Sequence, residues 1–312
     1  MNKVNIGVVG AGAIGENHIR VLSSLENANL VGFFEENSER AAEIAGRYGA
    51  TPLGSLEDLA SKADAVTVAT PTVTHLPIGS ALLEANCHVL VEKPIADTTE
   101  AARELVRLAG DRNRILQVGH VERFNPVLQE LEAKMSEPRF IEAHRLSPFP
   151  NRSIDIGVVL DLMIHDLEII LHLVHSEIES VDAVGVPVLT RREDIANARL
   201  RFANGCVANI TASRISPERL RKIRVFQPDS YLSLDYMEQA GQIYWKEGGQ
   251  IARREVAVEK DEPLKCELEA FCECARTGRQ PRVSGSEATA ALEVAVSITK
   301  QIEQANGNNA GS

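Results

Sequence analysis

A glycine-rich turn between an apolar run and a helix-like stretch constrains the fold of this chain more than any other feature. The turn reads GAGAIG at residues 10–15, after VNIGVV and before NHIRVLSSL. In the pattern G-x-G-x-x-G the first glycine permits a tight turn, the second admits a pyrophosphate against the backbone, and the third allows close helix–strand packing. The N-terminus of the following helix offers free N–H groups to an anion. We therefore predict a dinucleotide site formed by Gly10, Gly12, Ala13, Ile14 and Gly15.

An acidic residue at the end of the next apolar run completes this fingerprint. Glu35 closes LVGFFE, twenty residues after Gly15, where a carboxylate accepts hydrogen bonds from the adenosine ribose. Because a carboxylate repels a 2′-phosphate, the pattern favours NAD(H) over NADP(H). Two alternatives stay open: Arg40 is close enough in sequence to meet a 2′-phosphate, and Glu36 replaces Glu35 if the strand is shifted by one residue.

Apolar runs alternate with amphipathic stretches as far as about residue 120, which is typical of parallel βαβ units. After Asn125 the pattern changes to two helix-like stretches followed by many alternating runs with turn signals such as Asn204-Gly205, as in antiparallel hairpins. We predict an α/β Rossmann dinucleotide-binding domain (1–122), then an α+β domain with a large, mostly antiparallel open sheet (123–305), and a disordered tail (306–312).

Charge and cysteine content limit the classes of partner. The chain has 33 basic and 44 acidic residues, a formal charge of −11, which disfavours binding to nucleic acid or an anionic membrane. The N-terminus turns glycine-rich after its apolar run, so it is typical of a first strand and not of a signal peptide. Five cysteines without a secretory signal favour reduced thiols and a cytoplasmic location. Cys266, Cys272 and Cys274 lie in a helix-like stretch without zinc-site spacing, so we predict no metal.

Polar residues at two places in the sequence are candidates for a catalytic role. Lys93 follows the fourth apolar run, at the sheet edge where α/β folds hold ligands, although a strand-end lysine is often only a solvated charge. Asp161 and His165 are four residues apart and share one face of a predicted helix. A solvent-exposed acid–imidazole pair remains the alternative reading. His172 and His175 lie further along, outside the expected chemistry.

The motifs GAGAIGENH (10–18), ATPTVTH (69–75), EKP (92–94) and DLMIHD (161–166) resemble those of the Gfo/Idh/MocA family, in that order and from Val4 to about Ile302. The resemblance implies that Lys93, Asp161 and His165 are catalytic. It also implies that cofactor contacts come from Thr70, Pro71, His75, Glu92 and Lys93, in addition to the glycine loop and Glu35. Arg40 is a further candidate cofactor contact because it is close to Glu35 in sequence. The chain departs from the family at Met163, where members carry glycine, and at Glu168, where they carry aspartate.

The implied chemistry is oxidation of a secondary alcohol by NAD. A histidine with a pKa of about 6.5 suits acid/base work at neutral pH. Asp161 would orient that imidazole or hold a neighbouring hydroxyl, and Lys93 would stabilise developing alkoxide charge.

Two segments, QVGHVERFNP (117–126) and HRLSPFPNRSIDIGVVLDLMIHD (144–166), resemble the branch of the family that acts on UDP-N-acetylglucosamine at C3. This resemblance implies sugar or phosphate contacts from Arg123, Asn125, His144 and Arg145, each of which could equally be structural. A basic stretch at Arg214, Arg219, Arg221 and Lys222 is a candidate for meeting a diphosphate.

Three rival functions remain open from the sequence. The chain could be another sugar or cyclitol dehydrogenase of the family, or an enzyme that oxidises its sugar transiently during epimerisation or glycoside cleavage. A non-catalytic sugar or dinucleotide sensor is the third, although a sensor has no need of Lys93, Asp161 and His165. The apolar alternation in CVANITA and YLSLDY predicts that a homo-oligomer, a dimer or a tetramer, buries one face of the second sheet.

Overall fold

The computed structural model describes residues 3–149 and 156–309, the last two by their backbone alone. Residues 1–2, 150–155 and 310–312 lie outside this description; residues 150–155 are part of the segment that resembles the nucleotide-sugar branch. The described chain divides into two units, with boundaries after Phe124, Lys260 and Thr289. The division differs from the expected contiguous second domain, because residues 261–289 return to the first unit. Residues 306–309 of the expected tail continue the last helix.

A five-stranded parallel sheet organises the first unit, as the alternating runs predicted. Its elements are β1 (Val4–Val9), α1 (Ala13–Leu22), β2 (Ala28–Phe34), α2 (Ser38–Tyr48), α3 (Leu56–Lys62), β3 (Ala65–Val68), α4 (His75–Glu84), β4 (His88–Glu92), α5 (Thr99–Asp111) and β5 (Leu116–Gly119). The strand order is β2-β1-β3-β4-β5. The order reverses between β1 and β3, and doubly wound sheets bind ligands beyond the carboxyl ends of the strands at such a point.

The helices of this unit begin and end at residues suited to those positions. Asn37, Ser55 and Thr98 each accept a hydrogen bond from a backbone N–H in the first turn of α2, α3 and α5. Gly49 ends α2 in the left-handed conformation, with φ 66°. These local signals keep the connections short and hold the strand ends that carry the candidate site in defined places.

The second unit contains an eight-stranded sheet and helices on one face of it. Its elements are α6 (Pro126–Glu132), β6 (Phe140–Leu146), α7 (Ile164–Val174), β7 (Ile178–Val186), β8 (Ile195–Phe202), β9 (Val207–Ser213), β10 (Leu220–Phe226), β11 (Ser230–Asp235), β12 (Ala240–Glu247) and β13 (Gln250–Val256). The strand order is β13-β12-β11-β10-β6-β9-β8-β7. Every neighbouring pair is antiparallel except β6 and β9. A mostly antiparallel open sheet was the sequence prediction for this part of the chain, and it is confirmed.

Two C-terminal helices follow the second sheet: α8 (Pro263–Thr277) and α9 (Gly285–Asn309). The apolar residues Leu268, Phe271 and Cys272 of α8 are fully buried in the same core as Ile6 and Val8 of β1. Burial of several large apolar side chains explains why α8 belongs to the first unit, although it follows the second in sequence.

A membrane-spanning helix and a metal-binding cluster were both sought in the described residues. No helix within them is both long and apolar enough to cross a membrane. Within the same ranges, no group of three or more His, Cys, Asp or Glu side chains is arranged to hold a metal ion.

Candidate functional site

The glycine loop lies between the end of β1 and the start of α1. Gly10 has φ +84°, and a Cβ there would lie 2.7 Å from the carbonyl oxygen of Ala69. A Cβ on Gly15 would lie 1.9 Å from the carbonyl oxygen of Gly10, so only glycine permits this approach of helix and strand. A Cβ on Gly12 meets nothing within 4 Å, and no side chain caps α1. Open space before an uncapped helix N-terminus fits a dinucleotide pyrophosphate.

Glu35 and Arg40 hold this loop at Ala11. Glu35 follows β2, and its Oε2 accepts a hydrogen bond from the Ala11 N–H at 2.7 Å, while its Oε1 accepts one from the Asn37 N–H at 3.0 Å. Arg40 donates from Nε to the Ala11 carbonyl oxygen at 2.9 Å. The carboxylate therefore lies at the place where an adenosine ribose is recognised in this fold. The arginine lies beside it, with its other nitrogens paired to carboxylates.

His75 links the loops that follow β3 and β4. Its ring is fully buried. Nδ1 lies 3.0 Å from the carbonyl oxygen of Pro94, and Nε2 lies 3.0 Å from that of Thr70. The resemblance implied a cofactor contact for His75, but this geometry gives it a positioning role between the Thr70-Pro71 and Lys93-Pro94 turns.

Lys93 follows β4 in a partly buried position, and its peptide bond to Pro94 is cis. Buried Glu92 precedes it. Glu92 Oε1 lies 3.2 Å from His18 Nε2, and its Oε2 accepts the Lys93 N–H at 3.2 Å. The carboxylate thus joins His18 of α1 to the turn after β4, where it fixes the backbone that carries Lys93.

A second buried acid lies near Glu92. Glu267 on α8 is fully buried, and neither of its carboxylate oxygens has a hydrogen-bond partner in the described structure. Burial, followed by the negative charge of Glu92, raises the pKa of Glu267 well above its usual value. Glu267 could not be recognised from the sequence, because a single glutamate in an amphipathic helix gives no sign of burial.

Asp161 and His165 lie on one continuous helical segment of the second unit. Asp161 belongs to a π-helical turn, Val159–Met163, which continues into α7 at Ile164. Both side chains are partly exposed, whereas Asp166 and Glu168 are buried. The sequence predicted one uninterrupted α-helix, and the π-helical turn at Asp161 is a feature that often occurs at functional sites.

The start of this segment is fixed by a buried polar network that the sequence did not reveal. The Val159 N–H donates to Glu193 Oε1 at 3.3 Å, and Arg214 donates to the Ile156 carbonyl oxygen at 2.7 Å. Arg214 also donates to Asp194 Oδ1 at 2.9 Å, and both side chains are fully buried.

Burial opposes ionisation of Asp194, but the backbone N–H groups of Leu189 and Thr190 and the Arg214 guanidinium hold its pKa well below the usual range. Arg214 was a candidate for meeting a diphosphate, but its burial against Asp194 makes it structural.

Two of the expected substrate residues lie on opposite faces of β6. Arg145 points to the helical face and is almost fully buried, with bonds to both carboxylate oxygens of Asp166 at 2.8 and 3.0 Å. His144, the preceding residue, points to the other face, beside Lys222 and Thr211. Because side chains alternate along a strand, the two cannot contact one ligand on the same face. Arg145 is instead the anchor of α7.

The other two expected substrate residues are buried. Arg123 has no exposed surface and donates to the Arg282 carbonyl oxygen at 3.2 Å. Asn125 caps α6 by accepting the Val127 N–H, and donates to the Tyr236 carbonyl oxygen at 3.0 Å. Both side chains are therefore engaged within the chain in this structure, which favours the structural alternative for both, and their contact with a substrate stays a prediction.

Comparison with known proteins bears on both units. Residues 4–120 match the family model described as "Oxidoreductase family, NAD-binding Rossmann fold", of the Gfo/Idh/MocA group. Residues 128–228 match the model described as "GFO/IDH/MocA C-terminal domain". The two matched ranges include the glycine loop, Lys93, Asp161 and His165.

Individual relatives extend over almost the whole chain. UDP-N-acetylglucosamine 3-dehydrogenase of Acidithiobacillus ferrooxidans is 36% identical over 310 residues, 97% of this chain and 98% of that protein. A solved structure under that name from the same organism has a TM-score of 0.93 and 35% identity, and covers 97% of this chain and 99% of the other. Myo-inositol 2-dehydrogenase of Thermotoga maritima is 26% identical, with 96% of this chain and 97% of that protein covered.

Proposed function

This chain belongs to the Gfo/Idh/MocA family of NAD-binding oxidoreductases, and we propose that it oxidises the C3 hydroxyl of a UDP-N-acetylhexosamine. One observation carries the choice of substrate. The identity to the UDP-N-acetylglucosamine 3-dehydrogenase of A. ferrooxidans, 36%, extends over 97% of the chain, so it includes the substrate-handling unit as well as the Rossmann unit. The inositol dehydrogenase match is lower, at 26% over a similar share.

The cofactor site fits NAD, which supplies the hydride acceptor when it is bound. Gly10, Gly12 and Gly15 provide the turn and the open backbone approach for the pyrophosphate. Ala13 and Ile14 contribute N–H groups of the first turn of α1. Glu35 receives the ribose hydroxyls in place of the Ala11 N–H that it binds in this structure. Thr70 and Pro71 form the turn after β3, and the buried ring of His75 contacts the Thr70 carbonyl oxygen.

Three side chains carry the proposed chemistry. His165 accepts the proton of the substrate hydroxyl, because an imidazole titrates near neutral pH. Asp161, one helical turn earlier, orients the imidazole or binds a neighbouring hydroxyl. Lys93 donates a hydrogen bond to the reacting oxygen and stabilises the charge that develops there. Each of the three is partly exposed in its own unit, as a group that meets a substrate must be.

The uridine diphosphate needs cationic partners, and two exposed arginines of the second unit remain candidates. Arg219 precedes β10 and Arg221 lies on it; both are exposed. Arg221 shares the register position of Arg145, on the helical face of the sheet. Lys222 points to the opposite face and pairs with Asp235 at 3.3 Å. We therefore assign the diphosphate contact to Arg219 and Arg221.

A panel of substrates tests the proposal. The purified protein is mixed with NAD⁺ and, separately, with UDP-N-acetylglucosamine, UDP-glucose, glucose and inositol, and NADH formation is followed by absorbance. We expect a signal with UDP-N-acetylglucosamine. Turnover of inositol alone would favour the cyclitol dehydrogenases, while tight NADH binding without turnover of any substrate would favour a sensor.

We also propose that a second copy of the chain covers the outer face of the eight-stranded sheet. Aromatic rings of Phe140, Phe226, Tyr231 and Tyr244 form a row there, with successive centroids 5.6, 5.1 and 4.3 Å apart. Exposed Val184 and Val186 add apolar side chains to the same face on β7, the strand at the far edge of the sheet. Light scattering should show a dimer or a tetramer. Tyr231→Lys should lower the measured mass of the particle, because the oligomer dissociates. A monomeric wild-type protein would contradict the proposal.

The cysteines support a reducing compartment, which we propose is the cytoplasm. All five thiols are free, and four of them are buried. Thiol titration of the denatured protein, purified from cells without reductant, should count five thiols per chain. A lower count would indicate disulfides and an oxidising location.

A further inference from the structure

A network of charged side chains joins α1 to α2 next to the glycine loop. Glu16, in the first turn of α1, forms ion pairs with Arg40 through Oε2 and with Arg47 through Oε1. Tyr48 donates its hydroxyl hydrogen to Glu16 Oε1 at 2.9 Å. Glu43 pairs with the same two arginines, at 2.7 and 2.6 Å. Two carboxylates therefore neutralise two guanidinium groups at this edge of the cofactor site.

Arg40 is the member of this network that lies closest to the adenosine end of the site. Its Nε binds the Ala11 carbonyl oxygen, while Glu35 binds the Ala11 N–H. In dinucleotide-binding domains an arginine near the ribose-binding acid accommodates the 2′-phosphate of NADP(H), because a guanidinium binds phosphate through two parallel hydrogen bonds. Arg40 is thus at a suitable place for that role.

Each nitrogen of the Arg40 guanidinium already has an acceptor. Nε binds Ala11, Nη1 binds Glu43 and Nη2 binds Glu16. The hydrogen bonds from Arg40 and Tyr48 lower the pKa of Glu16 to about 2, so its carboxylate stays ionised over the physiological range. Three of the five N–H donors of Arg40 are therefore engaged, and the two carboxylates offset its charge, which weakens its attraction for a phosphate in this arrangement.

We propose that Glu16 is a specificity-determining residue, which selects NAD(H) over NADP(H) by holding Arg40 and Arg47 in ion pairs. Glu35 repels a 2′-phosphate directly, whereas Glu16 withholds the positive charge that would compensate. Glu16→Gln leaves the isosteric side chain but removes its charge, so the network keeps two guanidinium groups against the single carboxylate of Glu43.

Equilibrium titration of NADH and of NADPH, followed by nicotinamide fluorescence, tests this proposal without any sugar substrate. It therefore fails or succeeds independently of the proposed oxidation at C3. We expect Glu16→Gln to tighten NADPH binding by about tenfold, the order of a partly screened charge interaction, and to leave NADH affinity nearly unchanged. Glu104→Gln is the control, because Glu104 also pairs with an arginine, Arg107, but within α5, and it should change neither affinity.

The double variant Glu16→Gln/Arg40→Ala shows whether the gain depends on the released arginine, and the proposal requires that the gain in NADPH affinity disappears. Unchanged NADPH affinity in Glu16→Gln, or a gain that persists without Arg40, would overturn it. Loss of NADH binding in Glu16→Gln would overturn it as well, since Glu16 would then maintain the site instead of selecting the cofactor.

Discussion

Arg145 on β6 donates two hydrogen bonds to Asp166 on α7, at 2.8 and 3.0 Å, and both side chains are almost completely buried. Asp166 directly follows His165. The ion pair therefore fixes the turn of the helix that presents the proposed acid/base, although neither member of the pair needs to touch a substrate.

Removing one partner of this pair should destabilise the protein. Asp166→Asn leaves the Arg145 guanidinium buried against a neutral group, and we expect a loss of about 3–5 kcal/mol in the free energy of unfolding. Urea denaturation measures the loss. The double variant Arg145→Met/Asp166→Leu should recover most of it, because two apolar side chains leave no buried charge. Wild-type stability in Asp166→Asn would contradict a structural role.

His165 should be essential for turnover but not for cofactor binding. We expect His165→Ala to lower kcat by about 10²–10⁴-fold, the usual contribution of a positioned acid/base. NADH affinity, measured by fluorescence titration, should remain within about twofold. His172 is the control on the same helix; it is paired with Glu132 at 3.3 Å, and His172→Ala should keep near-full activity. Equal losses in both variants would mean that the helix, and not the imidazole of His165, matters.

Glu267 should make stability depend on pH. Its folded-state pKa is raised by burial and then by the charge of Glu92, so the folded protein keeps a proton that the unfolded chain releases above pH about 4.3. Stability is therefore lost as the pH rises from that value towards the folded pKa.

Glu267→Gln has no such proton to retain. We expect its melting temperature, relative to that of the wild type, to rise with pH above about 4.3 and to show little difference below that. The control is Glu269→Gln, a partly exposed position on the same helix. A difference between wild type and Glu267→Gln that does not change with pH would contradict the buried, protonated carboxyl.

Arg221 should contribute to binding of the nucleotide sugar. We expect Arg221→Ala to raise the KM for the nucleotide sugar about tenfold, since a hydrogen bond to a charged group contributes about 1.5–3 kcal/mol, and to leave NAD affinity unchanged. Arg224→Ala is the control on the same strand, because Arg224 points to the opposite face and pairs with Glu142 at 3.3 Å. If both variants behave alike, the diphosphate is bound elsewhere.

The fold could be predicted from local patterns because each pattern has a local physical cause. The glycines at 10, 12 and 15 permit a tight turn and close packing of the following helix on the strand. The alternating runs of the second unit match the period of a half-buried strand. The destination of α8 could not be predicted, since an amphipathic helix shows that it buries one face but not which sheet it covers.

Site residues that belong to a sequence motif could be predicted. Residues whose role depends on burial in the tertiary structure could not. The resemblance to the nucleotide-sugar branch implied that Arg123, Asn125 and Arg145 contact the substrate, with a structural role as the alternative for each. The structure buries all three, and their partners are distant in sequence: Arg282, Tyr236 and Asp166. Contacts between residues this far apart in sequence cannot be inferred from a single sequence. For the same reason Glu193 and Glu267 were missed.

The most direct test of the central claim uses UDP-N-acetylglucosamine that carries deuterium at C3 of the sugar. If the protein oxidises that carbon, the deuterium moves to the nicotinamide ring, and mass spectrometry of the reduced cofactor finds it there. Reduced cofactor without deuterium, formed while the label stays in the sugar, would show that another hydroxyl is oxidised and would contradict the proposed function.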